Sequence, residues 1–230
     1  MGSLLEIDSV IKSFGVNQIL TDVFIKLQTG DILGIFGRNG TGKSTLLRII
    51  FGTLQTERKF IRLDGKVLDH PYKCIDEVCL LPQHDFVPKH LKLHQAVKLF
   101  LNKPFPESFF DDKFLSSIKN NKVSELSGGE LRYFEIKLIL NTQSKFVLLD
   151  EPFTGISPIL IEELSKLIKE SSRSKGIILT DHDYNNVLDT ANRYCVLYDG
   201  GIKYFENKID LVKWGYINKS KSHLLMPTNS

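Results

Sequence analysis

The chain has 230 residues, 42% hydrophobic and 25% charged, enough to bury one ordinary core. Its 30 lysines and arginines against 27 aspartates and glutamates leave a formal charge of +3, too mild and too dispersed to argue for a nucleic-acid partner. The longest apolar runs, such as 146–149 and 177–179, fall far short of the ~20 residues that cross a bilayer, so no segment is expected to span a membrane by itself. Cys74, Cys79 and Cys195 sit in apolar surroundings at spacings that match no metal or redox motif, which points to a reduced, cytosolic protein. Residues 1–10 alternate like a strand and lack the basic start and long apolar stretch of a secretion signal. Glu6 stands where a myristoylation motif would carry Ser or Thr.

Residues 4–27 alternate and turn in the manner of antiparallel strands, with breaks at Asp8 and Ser9 and again over 15–18. Residues 31–36 form a short apolar strand that runs into a glycine-rich loop, after which Leu46, Leu47 and Ile50 give 43–51 helical spacing. Asp64-Gly65 is a two-residue hairpin turn within 60–68, and 78–81 is a further strand that ends at Pro82 and Gln83. Between 88 and 123 the character changes: Pro104 and Pro106 accompany two apolar patterns of helical period, 94–101 and 108–118, which predict a small helical insert. Beyond it, 129–140 reads as a helix, 145–149 as a buried strand, 158–170 as a helix and 176–180 as another buried strand. This alternation implies a parallel sheet. Asp199, Gly200 and Gly201 close a last hairpin, and the polar stretch 220–230 is expected to fray. No internal repeat is visible, so one domain over 1–230 is expected, with a helical subdomain at about 88–140 and a flexible tail at 215–230.

Gly37, Arg38, Asn39, Gly40, Thr41, Gly42, Lys43, Ser44 and Thr45 fit the P-loop pattern in the context it requires, between a buried strand and a helix. Glycines let consecutive backbone N–H groups converge on phosphate oxygens at a positive helix N-terminus. Lys43 adds a mobile point charge for the β- and γ-phosphates, Ser44 a hydroxyl for Mg²⁺, and Thr45 a donor to a nearer phosphate. An accidental glycine-rich turn is the bland alternative, and the flanking strand and helix count against it. A P-loop alone names only a superfamily of NTPases. Leu126, Ser127, Gly128, Gly129 and Glu130 precede an amphipathic helix and present a second cluster of free N–H groups, a second anion site. Taken alone, that run reads better as an ordinary Ser N-cap. The apolar strand at 146–149 ends in Asp150 and Glu151, an arrangement in which a strand-end carboxylate holds Mg²⁺. Thr180, Asp181 and His182 follow the next buried strand and Gln83 another. Four strand ends thus carry polar residues able to face one crevice at the C-terminal edge of the sheet.

Over about residues 4–212 these motifs, in this order, resemble the ATP-binding cassette (ABC) transporter ATPases. The resemblance implies an α/β fold: a P-loop NTPase core with a mostly parallel sheet, an N-terminal antiparallel β subdomain and a small α-helical subdomain. It implies that Phe14 stacks on adenine, that Gln83 is the Q-loop residue, that 126–130 is the signature and that His182 is the switch histidine. ATP and Mg²⁺ are the implied ligands, the metal held by Ser44, Gln83 and Asp150, and Glu151 would polarise the attacking water with His182, Lys43 and Gln83 as the other catalytic groups. A dimer of like or unlike ATPase subunits is expected, with Ser127, Gly128 and Gly129 of one closing over the γ-phosphate held by the other. Transmembrane permease subunits are the expected partners, and the expected location is cytoplasmic, peripheral at the inner face of the cell membrane. The signature together with 151–155 is similar to the ATPases of lipopolysaccharide export and, less closely, of branched-chain amino-acid uptake. Export is weighted slightly higher; a soluble ABC ATPase acting on ribosomes or DNA and a regulatory module without turnover are the other classes.

Three departures from the family pattern stand out. Phe14 replaces the usual Tyr, which keeps the ring that stacking needs. Glu130 adds a negative charge at the signature and is expected to point away from a phosphate. Thr154, Gly155, Ile156 and Ser157 stand where Ser-Ala-Leu-Asp is usual, so the acid that helps link two sites is missing, while Ser157 before Pro158 is expected to cap the next helix. A docking groove lined by exposed apolar residues is expected near Phe86, Pro88 and Leu91.

Overall fold

The alternating N-terminal stretch forms two long antiparallel strands, β1 (Leu4–Phe14) and β2 (Asn17–Gln28). Ser9 is not a strand end: it adopts φ 54, and the pairing moves from Ile7 opposite Ile25 to Val10 opposite Val23, a bulge within one continuous strand. The structure, a computed structural model, describes residues 2–74, 76–101, 107–206 and 210–213. Pro104, Pro106 and the expected tail at 215–230 lie outside the described residues.

Strand β3 (Ile32–Phe36) leads through the glycine-rich loop into α1 (Lys43–Phe51). A hairpin follows, β4 (Arg58–Leu63) and β5 (Lys66–Val67), then β6 (Val78–Leu81) and α2 (Leu93–Leu101). The second half runs α3 (Gly128–Leu140), β7 (Phe146–Asp150), α4 (Pro158–Ser172), β8 (Gly176–Thr180) and α5 (Tyr184–Thr190). It closes with the hairpin β9 (Arg193–Tyr198) and β10 (Gly201–Phe205), and with α6 (Asp210–Lys213).

The strands form two sheets. One is antiparallel, in the order β2-β1-β4-β5; the other runs β10-β9-β3-β8-β7-β6. In the larger sheet only β10 is antiparallel to its neighbour. Every residue of β3, β7 and β8 is buried, as expected for apolar strands covered on both faces. Leu46, Leu47 and Ile50 of α1 share a core with Leu5, Ile7 and Ile25 of the antiparallel sheet and Leu33 and Leu148 of the larger one. On the opposite face, Phe134 and Leu138 of α3 and Leu164 and Ile168 of α4 pack with Val147, Leu149 and Leu179. Among the described residues no helix is long and apolar enough to cross a membrane.

The pattern at 108–118 does not form the predicted helix. A short 3-10 turn at Glu107–Phe110 gives way to successive turns. The carboxylate of Asp112 accepts the N–H groups of Phe114 at 2.8 Å and Leu115 at 2.7 Å, a local alternative to a helical ladder. Phe109, Phe110 and Leu115 are nonetheless buried, with Phe109 edge-on to Phe134 at 6.2 Å, so the apolar spacing served packing rather than helical period. The expected docking groove also differs. Phe86 and Leu91 are partly buried against the core, with Phe86 edge-on to Phe100 at 5.3 Å, and the exposed apolar side chain nearby is Leu99.

Candidate active site

Parallel register brings the chemistry to one edge. Leu81 pairs with Leu149, Asp150 with Thr180, and Ile35 with Thr180, so the residues that follow each strand emerge side by side. At the end of β3 the loop turns into α1 through Gly42, which caps the helix at φ 104, and a β-carbon there would stand 2.6 Å from Ile19 Cγ2. The first N–H groups of α1 are thereby directed at the loop's concavity. Lys43 lies within it, its ammonium donating to the carbonyls of Gly37 at 2.6 Å and Arg38 at 3.3 Å. Burial pushes the Lys43 pKa below its ordinary value, against the opposing pull of Glu151, Asp150 and Asp181.

Opposite the loop, Asp150 Oδ1 accepts from Ser44 Oγ at 3.0 Å and from Thr180 Oγ1 at 2.8 Å. Glu151 takes a left-handed backbone, φ 50, with its N–H donated to the Thr180 carbonyl at 2.9 Å. Its carboxylate meets His182 Nε2 at 2.7 Å through one oxygen and Gln83 Nε2 at 3.5 Å through the other. Asp181 braces the same edge, accepting from the N–H groups of Phe153 at 2.9 Å and Asp183 at 3.1 Å. Burial raises the Asp181 pKa despite those hydrogen bonds.

Of the predicted residues, Phe14, Asn39, Gly40, Gly42, Lys43, Ser44, Thr45, Gln83, Glu151 and His182 line one cleft of ≈ 460 Å³. Phe14 is half exposed at its mouth, with the Lys12 ammonium 4.9 Å from the ring centre. Gly37 and Arg38 instead border an adjoining hollow of ≈ 310 Å³ shared with Asn39 and His182. Thr41 turns its hydroxyl to the Arg38 carbonyl at 2.9 Å, and Asp150 touches the cleft through Ser44.

Ser127, Gly128 and Gly129 are not among the residues lining that cleft; Ser127 and Gly128 are exposed. Ser127 caps α3, and here the expectation for Glu130 is corrected. Rather than pointing away, Glu130 Oε2 turns back to accept the N–H of Ser127 at 2.8 Å and its hydroxyl at 2.7 Å. Ser127 Oγ in turn accepts the Glu130 N–H at 3.3 Å, which completes a capping box: a carboxylate three residues into a helix reaches the cap's own N–H. Gly129 lies against the Gly155 carbonyl, 3.5 Å from where its β-carbon would be. Ser157 is also corrected. It occupies the N-cap of α4 with extended backbone and Pro158 behind it, but its hydroxyl makes no capping hydrogen bond.

Two charged residues central to this edge were not singled out from the sequence. Arg132 and Glu135 are buried on α3, the guanidinium reaching the carbonyls of Pro82 and Asp150 and the carboxylate reaching the N–H groups of Phe86 and Val87. Their signal was available: charges three apart in a helix whose apolar residues Leu131, Phe134, Ile136 and Leu138 are spread around its circumference and are all buried.

A sequence model of the family described as ABC transporter matches residues 20–154, more than half of the chain. The chain belongs to the ABC transporter family. It is an ATPase, and the hydrolysis powers transport. The lipopolysaccharide export system ATP-binding protein LptB of Acidithiobacillus ferridurans is 30% identical over 215 residues, which cover 88% of this chain and 89% of that protein. The high-affinity branched-chain amino acid transport ATP-binding protein BraG of Pseudomonas aeruginosa is 31% identical over 219 residues, covering 86% and 91%. A solved nucleotide-free ATP-binding cassette from an ABC transporter superposes with a TM-score of 0.76 at 22% identity, covering 96% of this chain and 98% of that one, which shows the shared fold.

Proposed function

We propose that this ABC ATPase, a single cassette over residues 1–230 with a helical part at about 88–140, works as a dimer that clamps two nucleotides between its subunits. The observation that carries this reading is a separation. Lys43, Ser44, Gln83, Glu151 and His182 share one cleft, while the exposed N-terminus of α3 at Ser127 and Gly128 does not line it and a β-carbon on Gly128 would meet only open space. An anion-binding helix start that stays out of its own cleft is offered to the nucleotide of another subunit.

In each site the backbone N–H groups of 37–45 would cradle the phosphates, with Arg38 and Thr41 shaping the loop and Thr45 donating nearby. Lys43 would turn from the Gly37 and Arg38 carbonyls to the β- and γ-phosphates, and Phe14 would stack on the base. The oxygens of Ser44 and Asp150, 3.0 Å apart, are the hard donors that Mg²⁺ takes, with Gln83 beside them. No group of three or more His, Cys, Asp or Glu among the described residues forms a metal cage, which suits an ion completed by phosphate and water. When bound, Mg²⁺ neutralises charge that develops on the transferred phosphoryl group. Glu151 would accept the proton of the attacking water, and His182, whose Nε2 stands 2.7 Å from the Glu151 carboxylate, would contact the γ-phosphate and hold that geometry. Ser127, Gly128 and Gly129 of the other subunit would close over the γ-phosphate and exclude bulk water.

The partners that fit are transmembrane permease subunits, which bind the cargo and hold this cytoplasmic subunit at the inner face of the cell membrane. Export of a lipopolysaccharide-type cargo is the first reading, on the likeness to LptB. Glu151→Gln tests the scheme: turnover is expected to fall roughly 10²- to 10³-fold while Mg-ATP now drives a stable dimer on gel filtration. A monomer under those conditions counts against the dimer. Lys43→Ala is expected to weaken nucleotide binding itself, and normal hydrolysis by that variant would overturn the phosphate-loop assignment.

A further inference from the structure

We infer that Arg132 is a positioning residue that ties the signature helix to the catalytic carboxylate, so that closure at one nucleotide site is carried through α3 to the chemistry at the other. The inference rests on the dimer proposed above and names the path between its two sites.

Arg132 lies about a turn and a half into α3 from Ser127. Its guanidinium is almost fully buried, yet it is spent on backbone. One nitrogen donates to the Pro82 carbonyl at 2.8 Å, the other to the Asp150 carbonyl at 2.7 Å and the Glu151 carbonyl at 3.3 Å. One planar fork thus grips the root of the Gln83 loop and the peptides on either side of the Glu151 α-carbon. Glu135, one turn further, holds the other end of that loop: Oε1 accepts from Phe86 N–H at 2.7 Å and Val87 N–H at 3.1 Å. Its second oxygen makes no hydrogen bond and faces the Arg132 guanidinium at 3.9 Å. A single helix therefore brackets Gln83 from both sides and holds Glu151 from behind.

The cost of this arrangement argues against mere packing. Taking a guanidinium out of water is expensive, and here its counter-charge stands at 3.9 Å, a poor distance for an ion pair. An apolar side chain would fill the same space more cheaply. What an apolar side chain cannot do is hold three carbonyls at once from one rigid fork, and neither can lysine, a point donor on a flexible stem. Glu151 needs that support because its left-handed backbone persists only when its surroundings over-determine it. A tug on the N-terminus of α3 by a phosphate in the other subunit's site would reach this Glu151 through a rigid, buried helix. The path also replaces what the 154–157 segment lacks, an acid at Ser157 to link the sites.

The test uses the full chain. Arg132→Lys is expected to leave the melting temperature and the ATP KM close to wild type while kcat falls by about 10²-fold, the scale of a catalytic group displaced by an ångström. The ATP dependence is also expected to lose its cooperativity. In the Glu151→Gln background the same substitution should leave Mg-ATP-driven dimers intact, because the dimer is glued by Ser127 and the glycines. A wild-type kcat and Hill coefficient in Arg132→Lys would overturn the inference, as would losses of kcat, KM, melting temperature and dimerisation in parallel, the mark of a structural residue. Failure of Glu151→Gln alone to dimerise would overturn both this path and the dimer beneath it, and is read separately. Should Arg132→Lys not fold, Arg132→Gln, a donor able to reach one carbonyl only, is judged by the same outcomes.

Discussion

Glu151 shows how single residues are strained into use. A non-glycine residue at φ 50 costs about 1–3 kcal/mol, and the Thr180 carbonyl on one side and Arg132 on the other hold it there. In return its carboxylate meets His182 and Gln83 together. Glu135 is a second residue whose position conflicts with its charge. Burial raises its pKa above the ordinary 4.5, with Asp85 adding to the rise, while the Phe86 and Val87 N–H groups and Arg132 oppose it. The folded state therefore holds the proton more tightly than the unfolded chain. The stability this contributes is fully present below about pH 4.5 and is lost as pH climbs through the raised folded value. Glu135→Gln keeps an oxygen for both N–H groups and does not titrate. Its melting temperature relative to wild type is expected to rise from pH 4.5 toward neutrality, and a flat or falling difference would refute the assignment.

At the scale of elements, β8 is the strand on which the site's edge depends, because it aligns Thr180 with Asp150 and leads into Asp181 and His182. Its first residue, Gly176, has no room for a side chain. A β-carbon there would lie 2.6 Å from two carbons of the Phe146 ring and 2.9 Å from the Gln28 carbonyl oxygen, and that backbone cannot yield cheaply. Gly176→Ala is expected to destabilise the fold by about 1–3 kcal/mol, seen as a lower urea midpoint with an unchanged slope. An unshifted midpoint would show that the sheet gives more than its packing suggests. Helix α3 is the counterpart on the other face. Its apolar residues are buried all round, Arg132 and Glu135 are turned to the segment around Gln83, Glu130 to Ser127, and Lys137 and the Tyr133 hydroxyl to Asp112 in the turns after Phe110.

For the whole molecule the decisive feature is the distance between what is built and what is missing. The cleft gathers Lys43, Ser44, Gln83, Glu151 and His182, and the start of α3 at Ser127 and Gly128 lies exposed outside it. Gly128 offers a clean probe of this division. An added side chain there meets nothing within 4 Å, so Gly128→Asp is expected to fold and to bind ATP as a monomer with unchanged affinity. The new carboxylate would sit where the other subunit's γ-phosphate should dock, and like charge brought together there is costly. Introduced into Glu151→Gln, it is expected to abolish ATP-driven dimerisation on gel filtration. Dimers of undiminished stability would place the interface elsewhere.

The sequence by itself foretold the mostly parallel core, most of its strands and helices along the chain though not α5, and the residue types at four strand ends. Apolar runs, glycine spacing and strand-end polarity are local signals, imposed by backbone geometry and burial. It misjudged 108–118, where Asp112 diverts the backbone into turns, and it misplaced Glu130, whose carboxylate closes on Ser127 instead of facing away. What the strand-end pattern left to the tertiary structure were the contacts inside the crevice those ends face: Glu151 against His182 and Gln83, Ser44 against Asp150, and Arg132 joining α3 to the Pro82 and Asp150 carbonyls. Those facts depend on the register of four parallel strands and on which carbonyls a buried guanidinium meets. They are contacts between residues far apart in the chain, and no local pattern encodes them.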